Sequence, residues 1–473
     1  MIHEVNDVQS QPNQTRVKSV LRPCDEAEIQ TVVRDAKKAG DSISVAGGRH
    51  AMGGQQFATD SVLLDMTQCA RVLHFDRQAG RIEVESGIMW PSLIATLHKL
   101  QPKHQATSEG PIWAIRQKQT GVDKVSIGGS LASNIHGRGL SFPPFISDIE
   151  SFRLVDHTGK VLHCSREENP ELFSLAIGGY GLFGIVSQVT LRLVPRQIVK
   201  RMVEIIAVKH LLSRVEAAIE EGYLFGDCQY SINLEGDEEF HPGVFSCYKP
   251  MPKDTVVPED GRKMSASDWA SMYQLARSDK ARAFSQYGQY YLQTSGQVYH
   301  SDAHQLSNVF EGYSEAMTAT NAPPEIDKAT EMISEVYVSK EAFIPFMIQV
   351  RRDFIQHNVD MTYGTIRFIE PDTESFLPWA KQASVCIVCN LHVVHTEKGI
   401  KKAKADFQRV IDRVIEHHGS FFLTYHRWAR RDQVEACYPR FAEFLAAKRR
   451  YDPDGVFQSE WYRHYADLFA SSD

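Results

Sequence analysis

Apolar residues recur along this chain of 473 residues with two different periods, and the switches between them mark out its elements. Over residues 25–40, Ile29, Val32, Val33 and Ala36 fall on one helical face, with Asp25 placed to cap the helix and Gly40 to stop it. Residues 42–46, 61–65 and 81–85 read as short strands, and residues 90–100 as a helix with Pro91 in its first turn. Residues 149–161 alternate as a strand pair around His157-Thr-Gly. Residues 184–194 read as one strand with Ile185, Ser187, Val189, Leu191 and Leu193 on a shared face, closed by Pro195-Arg196. From about residue 198 the texture changes. Helices predicted over 211–221, 340–357 and 396–418 alternate with strands predicted over 363–369, 385–394 and 420–428. The polar stretch from 250 to 330 reads as a long excursion with no assigned place.

A chain this long exceeds one ordinary hydrophobic core, so two or three domains are expected. The formal charge of −7 argues against a general nucleic-acid partner, which needs a basic face. Lys401, Lys402 and Lys404 sit at helical spacing beside Asp406 and read as a solvated face. No run of eighteen apolar residues occurs, so no membrane span is expected, and residues 1–15 lack the basic-then-apolar order of a secretory signal. The eight cysteines are scattered, which suggests reduced thiols and a cytoplasmic location.

Two segments carry chemistry. Val45-Ala-Gly-Gly-Arg-His-Ala-Met-Gly-Gly-Gln55 follows a strand, and four glycines in eight residues let backbone amides approach an anion closely. Val125-Ser-Ile-Gly-Gly-Ser-Leu-Ala-Ser-Asn-Ile-His-Gly-Arg-Gly139 is built of small residues and suits a backbone laid against a flat ligand. Two further patterns are decoys. Gly179-Tyr-Gly-Leu-Phe-Gly184 has the GxGxxG form, but an alternating strand follows it where a dinucleotide fold needs a helix. Cys386-Ile-Val-Cys389 has the CxxC form, but positions i and i+3 of a strand point to opposite faces, so no metal centre is expected.

Together these segments resemble the PCMH-type FAD-binding domain of the vanillyl-alcohol oxidase family. Leu64-Asp65-Met66, Val84-Glu-Ser-Gly87, Glu171-Leu-Phe and Tyr451-Asp-Pro-Asp-Gly-Val-Phe-Gln-Ser459 extend the resemblance over nearly the whole chain. The closest look is to the branch holding alditol oxidases, aldonolactone oxidases and decaprenylphosphoryl-ribose oxidase. The resemblance implies an α+β fold. A two-subdomain FAD-binding domain would cover residues 1–197, an α+β substrate (cap) domain with an antiparallel sheet residues 198–421, and a segment returning to the FAD domain residues 422–473. It implies FAD as cofactor, held by Ala46, Gly47, Gly48, Arg49, His50, Ala51, Gly54 and Gln55 in the first loop. Ser126, Gly128, Gly129, Ser133, Asn134, His136 and Gly137 would hold it from the second segment, and Gly184, Ile185 and Val186 from the adenine side. It also implies a covalent link from His50, with Arg49 favouring the neutral imidazole. Ile135, near the reactive flavin edge, is expected to make oxygen a poor acceptor.

The reaction centre is expected on three strands of the second half. Tyr363, Thr365 and Arg367 share one strand face, and Cys386, Asn390 and His392 share another, while the intervening apolar residues face the core. Buried polar faces are costly unless they serve a ligand, roughly 1–3 kcal/mol per unpaired group. The expected activity is oxidation of a CH–OH group in a sugar, polyol, lactone or related small alcohol, by hydride transfer to flavin N5. His392 is the expected base, with Tyr425 or His426 as alternatives, and Arg367 is the cation that balances charge near flavin N1. The polyol oxidases carry an acidic residue two before that arginine. Thr365 stands there in this chain, which puts a simple alditol in doubt. A flavin-dependent alkene reductase and a flavin-binding protein without turnover are the competing readings. The electron acceptor stays open between oxygen and another molecule.

Overall fold

The computed structural model describes residues 3–102, 111–234, 241–306 and 327–470. Helices and mainly antiparallel sheets make an α+β fold. Near the N-terminus, Ser19–Leu21, Val62–Asp65 and Ile43–Ala46 form a three-stranded parallel sheet in that order. The helix Glu26–Ala39 lies between the first strand and Ile43–Ala46 in the chain. The Asp25 carboxylate accepts the Glu28 amide at its start, and Gly40 adopts φ +71° at its end, which an L side chain resists. Ile29, Val33 and Ala36 pack with Ile43, Val62 and Leu64.

A second sheet runs Val161–Ser165, Ile149–Val155, Ile185–Arg192, Arg81–Glu85, Val72–Asp76, all antiparallel. Its strand Ile185–Arg192 follows Gly184 directly, in agreement with the rejection of a dinucleotide motif there.

The third sheet has eight antiparallel strands: Val298–His300, Ile198–Ala207, Pro242–Met251, Phe225–Tyr230, Met361–Ile369, Ser384–Val394, Ala329–Val338 and Ser420–Phe421. Its central strands are buried on both faces, so both need cover. The helix Phe343–Gln356 covers Ile387 and Cys389 on one side. The other side carries Tyr363, Thr365, Arg367 and Asn390 towards two cavities.

Three sequence expectations change. The strand expected over 420–428 stops at Phe421, because Phe422 and Leu423 are buried in succession and the chain turns away from the sheet. The segment 125–139, read as a backbone laid against a flat ligand with no element assigned, contains the helix Ile127–Ser133, capped by Ser126 and ended by Asn134 at φ +47°. The polar excursion contains two helices, Ala266–Ser278 and Lys280–Leu292, which roof one cavity; its residues 307–326 lie outside the described residues.

The C-terminal part lies against the first sheet. Ile43 N donates to Val456 O (2.6 Å), Gln458 N donates to Ile43 O (2.8 Å), and the buried Asp452 accepts the amides of Val456 and Phe457. All eight cysteines are free thiols. Among the described residues, no helix is long and apolar enough to cross a membrane.

Candidate functional site

The first cavity lies where the Gly-rich loop, the segment around Ser126 and the turn before Ile185 meet. Close packing explains the glycines. A Cβ on Gly47 would strike the Ser126 hydroxyl, and one on Gly48 would strike the Lys124 carbonyl. Of the residues expected to hold a cofactor, Ala46, Gly47, Gly48, Arg49, His50, Ala51, Gln55, Ser126, Gly128, Gly129, Ser133, His136, Gly184 and Val186 line this cavity. Gly54, Asn134, Gly137 and Ile185 do not. Asn134 is committed to Asp372 and to the Ile146 amide, Ile185 packs in the core beside Val155, and Gly54 faces Arg427. Gly137 supplies the carbonyl that orients His136.

His50 lines the cavity with a buried Nδ1 that has no hydrogen-bond partner. Burial lowers its pKa to about 4, with Asp7 opposing and Lys124 assisting. Lys124, rather than Arg49, is therefore the cation that favours the neutral ring. Arg49, at φ +59°, pairs instead with Asp65 (3.1 Å).

A second cavity of about 550 Å³ adjoins the first, and Gln119, Gly121, Ile333, Glu335, Arg367 and Tyr425 line both. A buried polar cluster stands at this junction. His136 donates through Nδ1 to the Gly137 carbonyl (2.9 Å), and its Nε2 lies 2.6 Å from Glu335 Oε1. Both nitrogens thus face oxygen acceptors. Tyr337 donates to Glu335 Oε1 (2.5 Å) and Tyr425 to Oε2 (3.0 Å). Burial alone would raise the Glu335 pKa, but His136, Tyr337 and Arg367 bring it down to about 2. Arg367 is buried beside this cluster and its Nε has no hydrogen-bond partner. Cys386 lies directly across from Arg367 in the sheet, and its Sγ is 3.8 Å from His136 Nε2.

The remaining expected residues divide. Thr365 and Asn390 line the second cavity. His392 lines neither. A bulge at Thr362 interrupts the register, and Glu331 takes both the Thr362 hydroxyl (2.5 Å) and His392 Nδ1 (2.9 Å). His426 is packed between Phe407, Phe421 and Trp428, where burial lowers its pKa to about 3. Sequence reasoning missed Glu335. It sits on Ala329–Val338, where Met332, Ser334, Val336 and Val338 alternate with Glu331, Ile333, Glu335 and Tyr337, so the period-two signal was present. Glu335 brings a carboxylate close to Arg367 although Thr365 lacks one.

The buried histidine has a consequence for stability. His426 binds its proton only near pH 3 when folded, against 6.5 as an ordinary histidine. Below pH 6.5 the unfolded chain therefore holds more protons, and folding free energy is lost by up to about 1.4 kcal/mol per pH unit down to the folded value. Glu335, held low, acts in the same direction once pH falls below the ordinary carboxylate range. The thermal midpoint should fall steadily from pH 7 to pH 4, and His426→Phe, which keeps an aromatic ring in the stack, should flatten that slope. An unchanged slope in the variant refutes the assignment.

Comparison with known proteins adds four findings. Residues 17–165 match the family described as FAD binding domain. L-gulono-1,4-lactone dehydrogenase of Mycobacterium tuberculosis is 24% identical over 459 residues, covering 94% of this chain and 95% of that protein. L-gulonolactone oxidase of Mus musculus is 27% identical over 176 residues, 37% of each chain. Cytokinin dehydrogenase 2 of Oryza sativa subsp. japonica is 24% identical over 262 residues, 51% of this chain and 43% of that one. These matches bear out the resemblance drawn from the Gly-rich segments and FAD as the cofactor.

Proposed function

Starting from an FAD-dependent oxidoreductase of the vanillyl-alcohol oxidase type, in its aldonolactone oxidase branch, we propose that this protein oxidises a CH–OH group on a sugar-like lactone or a related hydroxylated ring. The observation that carries the reading is Arg367, a buried guanidinium with an unpartnered Nε at the meeting point of the two cavities, beside Tyr425 and Glu335. The first cavity is the FAD site in this reading. The glycine cradle and the unpartnered His50 Nδ1 fit that cofactor. The three-stranded and five-stranded sheets form the two halves of an FAD-binding domain within residues 1–197, residues 198–421 form the cap, and residues 422–473 return to the FAD domain.

FAD, when bound, supplies the hydride acceptor at N5. The chain's own residues position the substrate oxygens. Tyr425 donates to Glu335 Oε2, which leaves its oxygen to accept the substrate hydroxyl and hold it at the junction. Glu335, held by three donors and well below the ordinary carboxylate range, anchors that contact and is not the base. Arg367 offers Nε to a substrate oxygen at the same place.

Anaerobic mixing with L-gulono-1,4-lactone, other aldonolactones and alditols tests the reading. At least one CH–OH compound should bleach the flavin. Consumption of NAD(P)H with an enone, without bleaching by any of these compounds, would replace it by alkene reduction. Ile135, buried on the wall of the first cavity, is expected to restrict oxygen. Peroxide formation at air saturation should be slow and should rise several-fold in Ile135→Ala; fast peroxide release by the unaltered protein contradicts this.

A further inference from the structure

The second cavity is much larger than a six-carbon lactone requires, and its two walls differ in chemistry. Its volume of about 550 Å³ falls within the roughly 300–1,000 Å³ that encloses a drug-sized molecule. On the sheet wall lie three unmatched polar atoms: Gln229 Oε1, Asn390 Oδ1 and Arg367 Nε, the last at the junction with the first cavity. Asn390 is only 3% exposed, so its bare acceptor carries a cost that a bound donor would remove. Each amide carries an NH2 donor beside its oxygen, so with Arg367 Nε the group can both donate and accept, which suits neutral hydroxyl groups.

The helical wall is aromatic. The helices Ala266–Ser278 and Lys280–Leu292 bring Trp269, Phe284, Tyr287 and Tyr291 to the wall, and Tyr299 closes it. These rings are held in place. Tyr287 and Tyr291 stack with centroids 4.3 Å apart. Arg201 lies 5.4 Å from the Tyr291 ring centre and 5.1 Å from that of Tyr299, and it donates to the Tyr248 hydroxyl and to Thr294 Oγ1. Arg201 is thus spent on fixing the walls. Arg138, a second cation on the wall, donates to the His304 carbonyl and faces Asp227 at 3.6 Å. The vault offers flat, preorganised aromatic faces, with Glu259, Arg262 and Lys263 exposed at its rim.

We infer that the substrate has two parts: a hydroxyl-bearing ring seated on Gln229, Asn390 and Arg367, and a neutral aryl group held between Trp269 and the tyrosine walls. This deepens the CH–OH reading above and rests on it. Aromatic partners gain from offset or edge contacts with such rings, which an alkyl chain of equal area does not.

Binding to the FAD-loaded protein, followed by equilibrium dialysis, separates the possibilities. The probes are a hexose, its phenyl glycoside and its octyl glycoside, together with L-gulono-1,4-lactone. The phenyl glycoside should bind roughly tenfold more tightly than the hexose and more tightly than the octyl glycoside. Trp269→Leu, a change at a half-buried position, should remove that advantage and leave lactone binding unaltered. Equal binding of phenyl and octyl glycosides, no gain over the hexose, or equal weakening of all ligands in the variant overturns the inference. Flavin bleaching by the same compounds reports on the CH–OH reading separately. A phenyl advantage without bleaching leaves the aryl site standing and removes the oxidation it was attached to.

Discussion

Arg367→Ala is expected to slow flavin reduction by substrate about 10²–10³-fold, or roughly 2.7–4 kcal/mol of transition-state stabilisation, with FAD content unchanged. Arg367 is 8% exposed and held by the sheet between Tyr363 and Asn390 on one side and the Glu335 cluster on the other. In so dry a place a fixed cation acts strongly on charge that develops beside it. Its unpartnered Nε leaves one directed donor for the substrate. Lysine at this position keeps the charge but loses the rigid fork, so Arg367→Lys should recover only part of the rate. His392→Ala is the control. Because Glu331 holds that ring outside both cavities, reduction should stay within a few-fold of the unaltered rate. Stopped-flow bleaching without oxygen measures all three. Near-normal reduction in Arg367→Ala, or a collapse in His392→Ala, moves the reaction centre.

The contrast between these two residues shows what the primary structure could convey. Period-two alternation correctly sorted Tyr363, Thr365, Arg367 and Asn390 to one face, because two consecutive buried strands must keep their apolar residues towards a packed helix. His392 shares that face as well, since Ser384–Val394 pairs with Ala329–Val338 without a register shift, but it lies outside the cavity, where Glu331 takes its ring, and the extent of a cavity is not written in the alternation. The Gly-rich loops were legible because close backbone approach excludes every other residue at Gly47 and Gly48. Glu335 was hidden differently. Its strand is the sheet neighbour of Ser384–Val394, yet it is separated from it in the chain by the helix Phe343–Gln356 and the strand Met361–Ile369. Only that pairing carries its carboxylate to His136 and Tyr425, and pairing order is not written in periodicity. The same holds for the aromatic vault, whose helices are polar on their outer faces and so read as an unplaced excursion.

In the unaltered protein we expect the flavin to remain with the chain after acid precipitation, through a bond from His50 to the flavin 8α-methyl, and in His50→Ala to appear wholly in the supernatant. A nucleophilic imidazole must be unprotonated, and burial ensures this by holding the His50 pKa at about 4, well below neutral pH. The ring must also have a nitrogen free of other duties, and Nδ1 is buried on the cavity wall with no hydrogen-bond partner. A histidine that only held a phosphate oxygen would gain from being charged, which this environment opposes. Asp7 is the one nearby group pulling the other way, so Asp7→Asn should lower the His50 pKa further and leave attachment intact. Intact mass supplies an independent reading: the unaltered chain should be heavier by the mass of FAD less the two hydrogens lost in forming the bond, and His50→Ala should have the bare chain mass while still binding FAD reversibly through the glycine cradle. Free FAD in the supernatant of the unaltered protein removes the bond and leaves the cofactor assignment in place, since that assignment rests on the cradle and the domain match and not on His50.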